Sequence, residues 1–407
     1  MDPKAVPRDF WATVEEPPLD TIMSLDKIAR AAAEPKVNLV IGAYRDSEGN
    51  PYPFRVVRKA DRMLLEMNLN YEYLPISGNA AFIDAAMELL YAGAVPRENL
   101  AAVQTIGGTG SVFLGAELLA KLLGKSTTAV YLPTPTWPNH PAIFDYVGWP
   151  TQSYRYLEPR TIGLDFEGMK TDIAEAPAGS VVILQTCAHN PTGVDPSREQ
   201  WETLAEIFLA KGHLAFFDTA YHGFASGDID KDTYPLRMFS QRGVPNVCAQ
   251  SFSKNMGLYG ERVGTFSIYV NDKDKAQKLK RMMETDIRRL YTTPPIHGSR
   301  LVHLILTDKT LRKEWEEEIK EVSSRITSMR KCLYDNLMEL DTPGTWGHIL
   351  TQIGMFSFLG LTKKQCDYCI SQNVFITQNG RANMAGLTES TAKFLAKAIS
   401  DAVKLDN

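Results

Sequence analysis

Between about residue 100 and residue 270, short apolar runs rich in β-branched and aromatic residues alternate with stretches of helical period. No other feature restricts the fold as strongly. A chain that passes from strand to helix to strand lays its strands parallel, and the helices then cover both faces of the sheet. The expected strands are 129–132, 181–185, 214–217, 247–251 and 264–270, and the expected helices 113–123 and 199–211 each stop before a glycine, Gly124 and Gly212. Near residue 309 the pattern changes. Leu311, Trp315, Ile319, Val322, Ile326, Met329, Leu333 and Leu337 recur at three- or four-residue steps, which predicts one long amphipathic helix able to carry the chain out of the large domain. Beyond it, 349–359 and 374–377 read as strands and 389–403 as a closing helix. A chain of 407 residues exceeds what one core usually serves. The expected organisation is therefore α/β, with a large domain over 51–315, a smaller domain over 316–407, and residues 1–50 forming an N-terminal arm and part of the small domain.

Composition narrows the function classes. The balance of 44% hydrophobic and 23% charged residues is that of an ordinary soluble globular protein, and a net charge of −4 offers no attraction to nucleic acid or an anionic membrane. No apolar run approaches the ~18 residues of a membrane span. Five cysteines are too few and odd in number for a disulfide framework, which points to a reducing compartment. The opening Met1-Asp2-Pro3-Lys4-Ala5-Val6-Pro7 is neither a secretory signal nor a transit helix, which favours the cytoplasm; a mitochondrial matrix protein stripped of its presequence would read the same.

The residues suited to chemistry fall just past the expected strands. Ser251-Phe252-Ser253-Lys254-Asn255 ends one of them, and Gly260-Glu261-Arg262-Val263-Gly264 opens the next. A lysine with hydroxyls one and three positions before it suits a Schiff-base lysine beside a phosphate. Ser251 and Ser253 can donate to phosphate oxygens, and Arg262 can form a bidentate contact. The plain alternative is a solvated lysine in a polar loop. Asp218, in Phe217-Asp218-Thr219-Ala220-Tyr221, ends a very apolar strand at the edge where α/β sheets bind ligands. A carboxylate there can keep a pyridine nitrogen protonated, and Tyr221 could reach a phenolic oxygen on that ring; the alternative is a helix N-cap. His189-Asn190-Pro191-Thr192-Gly193 has turn chemistry. Gly107-Gly108-Thr109-Gly110-Ser111 opens a helix, where backbone N–H groups can approach an anion, but its spacing is not that of a dinucleotide fingerprint.

Asn190-Pro191-Thr192-Gly193, Asp218-x-Ala220-Tyr221, Ser251-x-Ser253-Lys254 and Gly380-Arg381 resemble, in order and spacing, the signature set of fold-type I aminotransferases. The runs 38–45, 71–76, 135–140 and 381–387 are similar to those of the aspartate aminotransferase group, and the likeness extends from about Pro17 almost to the C-terminus. The resemblance implies a large domain with a mainly parallel sheet between helices, and a smaller α+β domain. It implies pyridoxal 5′-phosphate as cofactor and ping-pong transfer from L-aspartate to 2-oxoglutarate, giving oxaloacetate and L-glutamate in a homodimer with composite sites. Lys254 would hold the cofactor and then carry the proton, and Asp218 would pair with the pyridinium. Asn190 and Tyr221 would bond the ring oxygen, and Trp137 would stack on the ring. Gly108, Thr109, Ser251, Ser253 and Arg262 would hold the phosphate together with Tyr73 of the partner subunit. Arg381 would bind the substrate α-carboxylate and Arg288 of the partner subunit the side-chain carboxylate, with Gly42 in the segment that closes over substrate. Such chemistry needs two cationic forks for a dicarboxylate, and arginine suits a planar carboxylate better than lysine. Whether Arg288 or Arg289 is the second fork depends on register.

Some positions depart from the group. Gly107 stands where many relatives have serine, Gln185 where histidine is frequent, His222 where glutamine is frequent, and Thr292-Thr293 where Ser-Asn is frequent. Cys366-Asp367-Tyr368-Cys369 lacks a second pair or nearby histidine and fits one face of a helix better than a metal site. Among other functions, a broader aromatic and dicarboxylic specificity shares this scaffold. A cofactor-binding transcription regulator would need a DNA-binding domain ahead of Pro17, and a dehydrogenase would leave Lys254, Asp218 and both arginines without a role.

Overall fold

The computed structural model describes residues 9–17 and 19–406. The opening segment Met1–Pro7, on which the compartment expectation rested, lies outside the described residues.

A seven-stranded sheet organises the molecule. Its strands are β1 (Leu100–Ile106), β2 (Val130–Thr134), β3 (Thr151–Arg155), β4 (Val181–Gln185), β5 (Leu214–Thr219), β6 (Asn246–Ser251) and β7 (Val263–Tyr269). In space they run β1-β7-β6-β5-β4-β2-β3. All neighbours are parallel except β7, which lies antiparallel between β1 and β6. The central strands read as unbroken apolar runs because both faces are buried: Val181, Ile183, Phe216 and Val247 join the core on one side, and Val182, Leu184, Phe217 and Cys248 the core on the other. β1 was absent from the expected strands, although Val103, Thr105 and Ile106 are β-branched strand formers.

The helices that bear on the site are α1 (Thr21–Ala31), α2 (Gly107–Leu123), α3 (Arg198–Lys211), α4 (Lys273–Leu290), α5 (Lys309–Glu339), α6 (Lys363–Ser371) and α7 (Glu389–Asp406). α3 opens on a Ser197/Gln200 capping box and closes on Gly212 in the left-handed conformation. The 31-residue α5 buries the predicted stripe from Leu311 to Leu337 and packs along α7. At roughly 1.5 Å per residue it spans about 46 Å. Its Trp315 indole N–H donates to the Asn255 carbonyl at 2.7 Å, tying the helix to the residue beside Lys254. Cys366 and Cys369 lie on the buried face of α6.

The expectation of a strand over 349–359 needs correcting. His348–Thr351 is a helical turn, and only Phe356–Phe358 is a strand, paired with Arg381–Asn383. A short apolar run does not distinguish a buried helical turn from a strand. Here the buried Arg330 guanidinium of α5 donates to the carbonyls of Gly354 and Phe356 and gathers this segment into a compact bend. Val37–Asn38 pairs in parallel with Val374–Phe375, so residues near the start of the chain are built into the C-terminal part. Among the described residues, no helix is long and apolar enough to cross a membrane.

Candidate active site

Strand register brings the chemistry-bearing residues together. Gln185, Asp218 and Ala249 are cross-strand partners on β4, β5 and β6, so the carboxyl ends of these strands stop at one edge. Because β7 runs the other way, it begins at that edge: Gly264 faces Ser251, and Val263 faces Ile106 at the end of β1. One cavity opens there. Gly108, Thr109, Trp137, Asn190, Asp218, Tyr221, Ser251, Ser253, Lys254 and Arg262 all line it, together with Gln185, Ala220 and Tyr259.

One end of this cavity suits a polyvalent anion. α2 begins directly after β1, and its N-cap Ile106 has no side chain to accept the first helical N–H groups. Those donors therefore remain available to an anion. Gly107 has φ +64°, and a Cβ there would sit 2.7 Å from the Arg262 guanidinium, so the departure from serine leaves room for that group. A Cβ on Gly108 would lie 3.0 Å from the Ser251 side chain, so this glycine lets the helix start close against the end of β6. Arg262 is held by bonds to Ser253 Oγ at 3.2 Å and to the Tyr259 carbonyl at 3.0 Å. Helix start, hydroxyls and guanidinium converge.

Lys254 and Asp218 stand at the centre. Lys254 is no solvated loop residue: its ammonium lies 5.2 Å above the Tyr221 ring. Burial pulls its pKa down to about 8, with Arg262 and Arg381 acting in the same sense and the Asp218 carboxylate opposing. Asp218 belongs to a strand rather than capping a helix, and its Oδ2 lies 3.0 Å from His140 Nε2. His140 Nδ1 is 2.7 Å from the Thr136 hydroxyl. A neutral ring that donates to Asp218 would accept from Thr136. Tyr221 is pushed well above its ordinary range by burial, with the Asp218 charge adding to the effect, so its hydroxyl keeps its proton. It accepts from the Asn190 amide at 3.3 Å. The turn carrying Asn190 is anchored by Asp195, which accepts from the N–H groups of Ala188 and His189 at 2.6 and 2.9 Å. Burial raises Asp195 to about 6 against the pull of those two bonds.

Beyond Asn190, just outside the cavity lining, stands a cationic group. Arg381 is only 5% exposed, yet it has no carboxylate partner among the described residues. Its Nη1 donates to Asn190 Oδ1 at 3.4 Å and its Nη2 to the Val40 carbonyl at 2.7 Å, it lies 4.4 Å from the Phe356 ring centroid, and its Nε has no acceptor. A buried guanidinium without a counter-ion is costly and is relieved by an anionic ligand. Gly42 packs on the same Phe356, where a Cβ would come within 2.6 Å of the ring. Tyr73 is 80% exposed, and Arg288 and Arg289 lie exposed in the last turn of α4; none of the three lines this cavity. Arg289 reaches Asp286 at 3.5 Å, whereas Arg288 has no ion pair among the described residues.

Sequence reasoning missed His140, Gln185 and Tyr259 as parts of the site. Gln185 was legible in principle, as the last residue of a strand whose neighbour ends in Asp218. His140 and Tyr259 reach the site through a helix and a loop whose placement no local pattern announces.

Comparison with known proteins agrees with this geometry. The family described as aminotransferase class I and II matches residues 34–399. A mitochondrial aspartate aminotransferase of Dictyostelium discoideum is 44% identical over 404 residues, covering 98% of this chain and 94% of its own. The solved broad specificity aminotransferase of Leishmania mexicana is 56% identical, with a TM-score of 0.95 over 97% of this chain and 98% of its own. An aromatic-amino-acid aminotransferase of Burkholderia pseudomallei, solved covalently bound to pyridoxal phosphate, is 34% identical with a TM-score of 0.94 over 97% of this chain and all of its own. The lysine beside a half-buried carboxylate, the anion cradle and the buried arginine with no carboxylate partner among the described residues thus sit in a chain that belongs to the class I and II aminotransferases.

Proposed function

We propose that the protein is a pyridoxal-phosphate-dependent aspartate aminotransferase. It would transfer the amino group of L-aspartate to 2-oxoglutarate by a ping-pong route. The observation that carries this reading is Lys254 facing Asp218 in a cavity with an anion cradle at one end, beside a buried arginine that lacks a carboxylate. The residues fit the cofactor. The uncapped start of α2, Ser251, Ser253 and Arg262 would hold its phosphate; Asp218 would pair with the pyridinium; Asn190 and Tyr221 would bond its phenolic oxygen; Trp137 would cover one face. When bound, pyridoxal phosphate supplies the electron sink that weakens the Cα–H bond of the attached amino acid.

The chain's own residues do the rest. Lys254 would provide an amine for attachment and, once freed, a base that takes the proton from Cα and delivers it to the cofactor carbon C4′. His140 orients the Asp218 carboxylate from behind, with Thr136 fixing the ring. Arg381 would take the α-carboxylate and align the Cα–H bond. Arg288 of the partner subunit would take the side-chain carboxylate, a role supported by its freedom from Asp286. The 42–44 segment would exclude water on closing, and the division into 51–315, 316–407 and 1–50 belongs to the same proposal. A survey with 2-oxoglutarate as acceptor tests the function: aspartate should outrun tyrosine and phenylalanine in kcat/KM, and no turnover of aspartate would overturn it.

A second reading has one specific observation in its favour. A 410 Å³ cavity adjoins Arg381, walled by Ile22, Leu25 and Ile28 of α1 with Pro138, Pro191 and Ile370. Apolar walls beside a carboxylate fork would admit aromatic amino acids as well, and comparable kcat/KM for aspartate and phenylalanine in the same survey would favour this broader enzyme.

The depressed Lys254 gives a pH test. An ammonium titrating near 8 is neutral in roughly one-tenth of molecules at pH 7, against about one in 2,500 for an ordinary lysine. The amine reacts only when neutral. Attachment of pyridoxal phosphate to the apoprotein, followed by absorbance, should therefore speed up with pH and level off above about 8. A rate still climbing nearly tenfold between about pH 8.5 and 9.5 would show an unperturbed lysine.

Composite sites predict complementation. With Lys254→Ala and Arg288→Ala each poor toward aspartate, mixed subunits that exchange should form hybrids in which one site carries both changes and the other neither. Activity should recover to roughly a quarter of wild type, since half of the dimers are hybrid and half of their sites intact. No recovery, with exchange verified by tagged subunits, would mean that both residues serve one site from one chain.

A further inference from the structure

Gln185 makes a contact that the chemistry above leaves unused. Its side-chain amide engages both main-chain groups of Asn190: Oε1 accepts from Asn190 N–H at 2.8 Å, and Nε2 donates to the Asn190 carbonyl at 2.9 Å. All of these groups are buried, with Gln185 and Asn190 each 5% exposed. We propose that Gln185 is a positioning residue for carboxylate binding, fixing Asn190 and, through its side chain, the guanidinium of Arg381 and the hydroxyl of Tyr221. The inference rests on the transaminase reading above.

Three features support it. Asn190 stands between the two ends of the site, donating to Tyr221 at 3.3 Å and accepting from Arg381 at 3.4 Å. Both bonds are near the long limit of useful geometry, so a small displacement of Asn190 breaks them. Among the described residues, the Arg381 guanidinium is otherwise held by the Val40 carbonyl and the Phe356 ring, so its orientation depends on Asn190. The donor–acceptor pair is a property of an amide. A histidine, the frequent residue here, presents its two ring nitrogens in diverging directions and can serve only one main-chain group of Asn190. Gln185 also lies in register with Asp218 on the neighbouring strand, where an uncharged side chain adds no titrating group beside that carboxylate. Glutamine in place of histidine thus gives this chain an amide clamp on the main chain of Asn190.

Holoenzymes of wild type, Gln185→Met and Gln185→His test the proposal with succinate, a four-carbon dicarboxylate that has no amino group to react. Loss of two buried hydrogen bonds should weaken succinate binding and raise KM for aspartate roughly tenfold in Gln185→Met. kcat should stay within about threefold, since Lys254 and Asp218 are untouched. The absorbance titration of the bound cofactor should shift, because Tyr221 loses its Asn190 donor. Gln185→His, which retains one bond, should fall between, and it carries the test alone if Gln185→Met does not fold. Succinate affinity within twofold of wild type in a folded variant overturns the proposal. So does a lowered melting temperature with kcat and KM moving together, the signature of a merely structural side chain. Wild type that binds no succinate would overturn the functional reading and this inference with it; wild type that binds while its variants match it removes only the role of Gln185.

Discussion

Lys254→Ala should lower kcat for aspartate on the order of 10⁵-fold or more while leaving pyridoxal phosphate bound. The lysine supplies two functions at once, the amine for attachment and the base at Cα, and groups that act as a unit lose nearly everything together. Cofactor retention follows because the anion end is built from other parts: the uncapped start of α2, Ser251, Ser253 and Arg262. Half-buried over the Tyr221 ring, Lys254 leaves no second amine among the residues lining the cavity to take over either task. Borohydride reduction of the yellow wild-type protein, followed by peptide mapping, should place the cofactor on Lys254, and the variant should release its cofactor on denaturation. An adduct on another lysine, or a variant with more than about one-hundredth of wild-type turnover, would remove Lys254 from the mechanism.

Arg381→Ala and Arg288→Ala should separate by substrate. Arg381 is the buried fork, so its loss should reduce kcat/KM by roughly 10³-fold or more for every amino acid, because the α-carboxylate is common to all and is left desolvated without a partner. Asn190 and Phe356 would remain beside the gap, but neither can offer positive charge. Arg288→Ala should cost a similar roughly 10³-fold for aspartate and glutamate, with far smaller losses for phenylalanine and alanine. Steady-state kinetics on the four substrates, with melting temperatures to confirm folding, give the comparison. Equal losses for all four in Arg288→Ala would place the side-chain fork elsewhere, and Arg289→Ala would then be the variant to measure. A dicarboxylate-specific loss in Arg381→Ala would reverse the two assignments.

Much of this was legible from the chain alone because it is local. Helical period marks α5 through its Leu311–Leu337 stripe, apolar runs mark β4 to β7 to within a residue or two at each end, and glycine marks the ends of α2 and α3. The motifs around Asn190, Asp218 and Lys254 name the chemistry, since each residue's donors, acceptors and charge travel with it. What a local pattern cannot hold is distance between segments far apart in the chain. β7 runs antiparallel among parallel strands, which alone sets Arg262 against Ser253 and the start of α2. The run 349–359 divides into a helical turn and a strand because Arg330, on another element, gathers its carbonyls. His140 behind Asp218, the clamp of Gln185 on Asn190 and the burial of Arg381 without a counter-ion are likewise decided by packing. The physical reason is one of range. Period and residue chemistry are set by neighbours in sequence, whereas desolvation and hydrogen-bond geometry are set by whichever atoms the folded chain brings within a few ångströms.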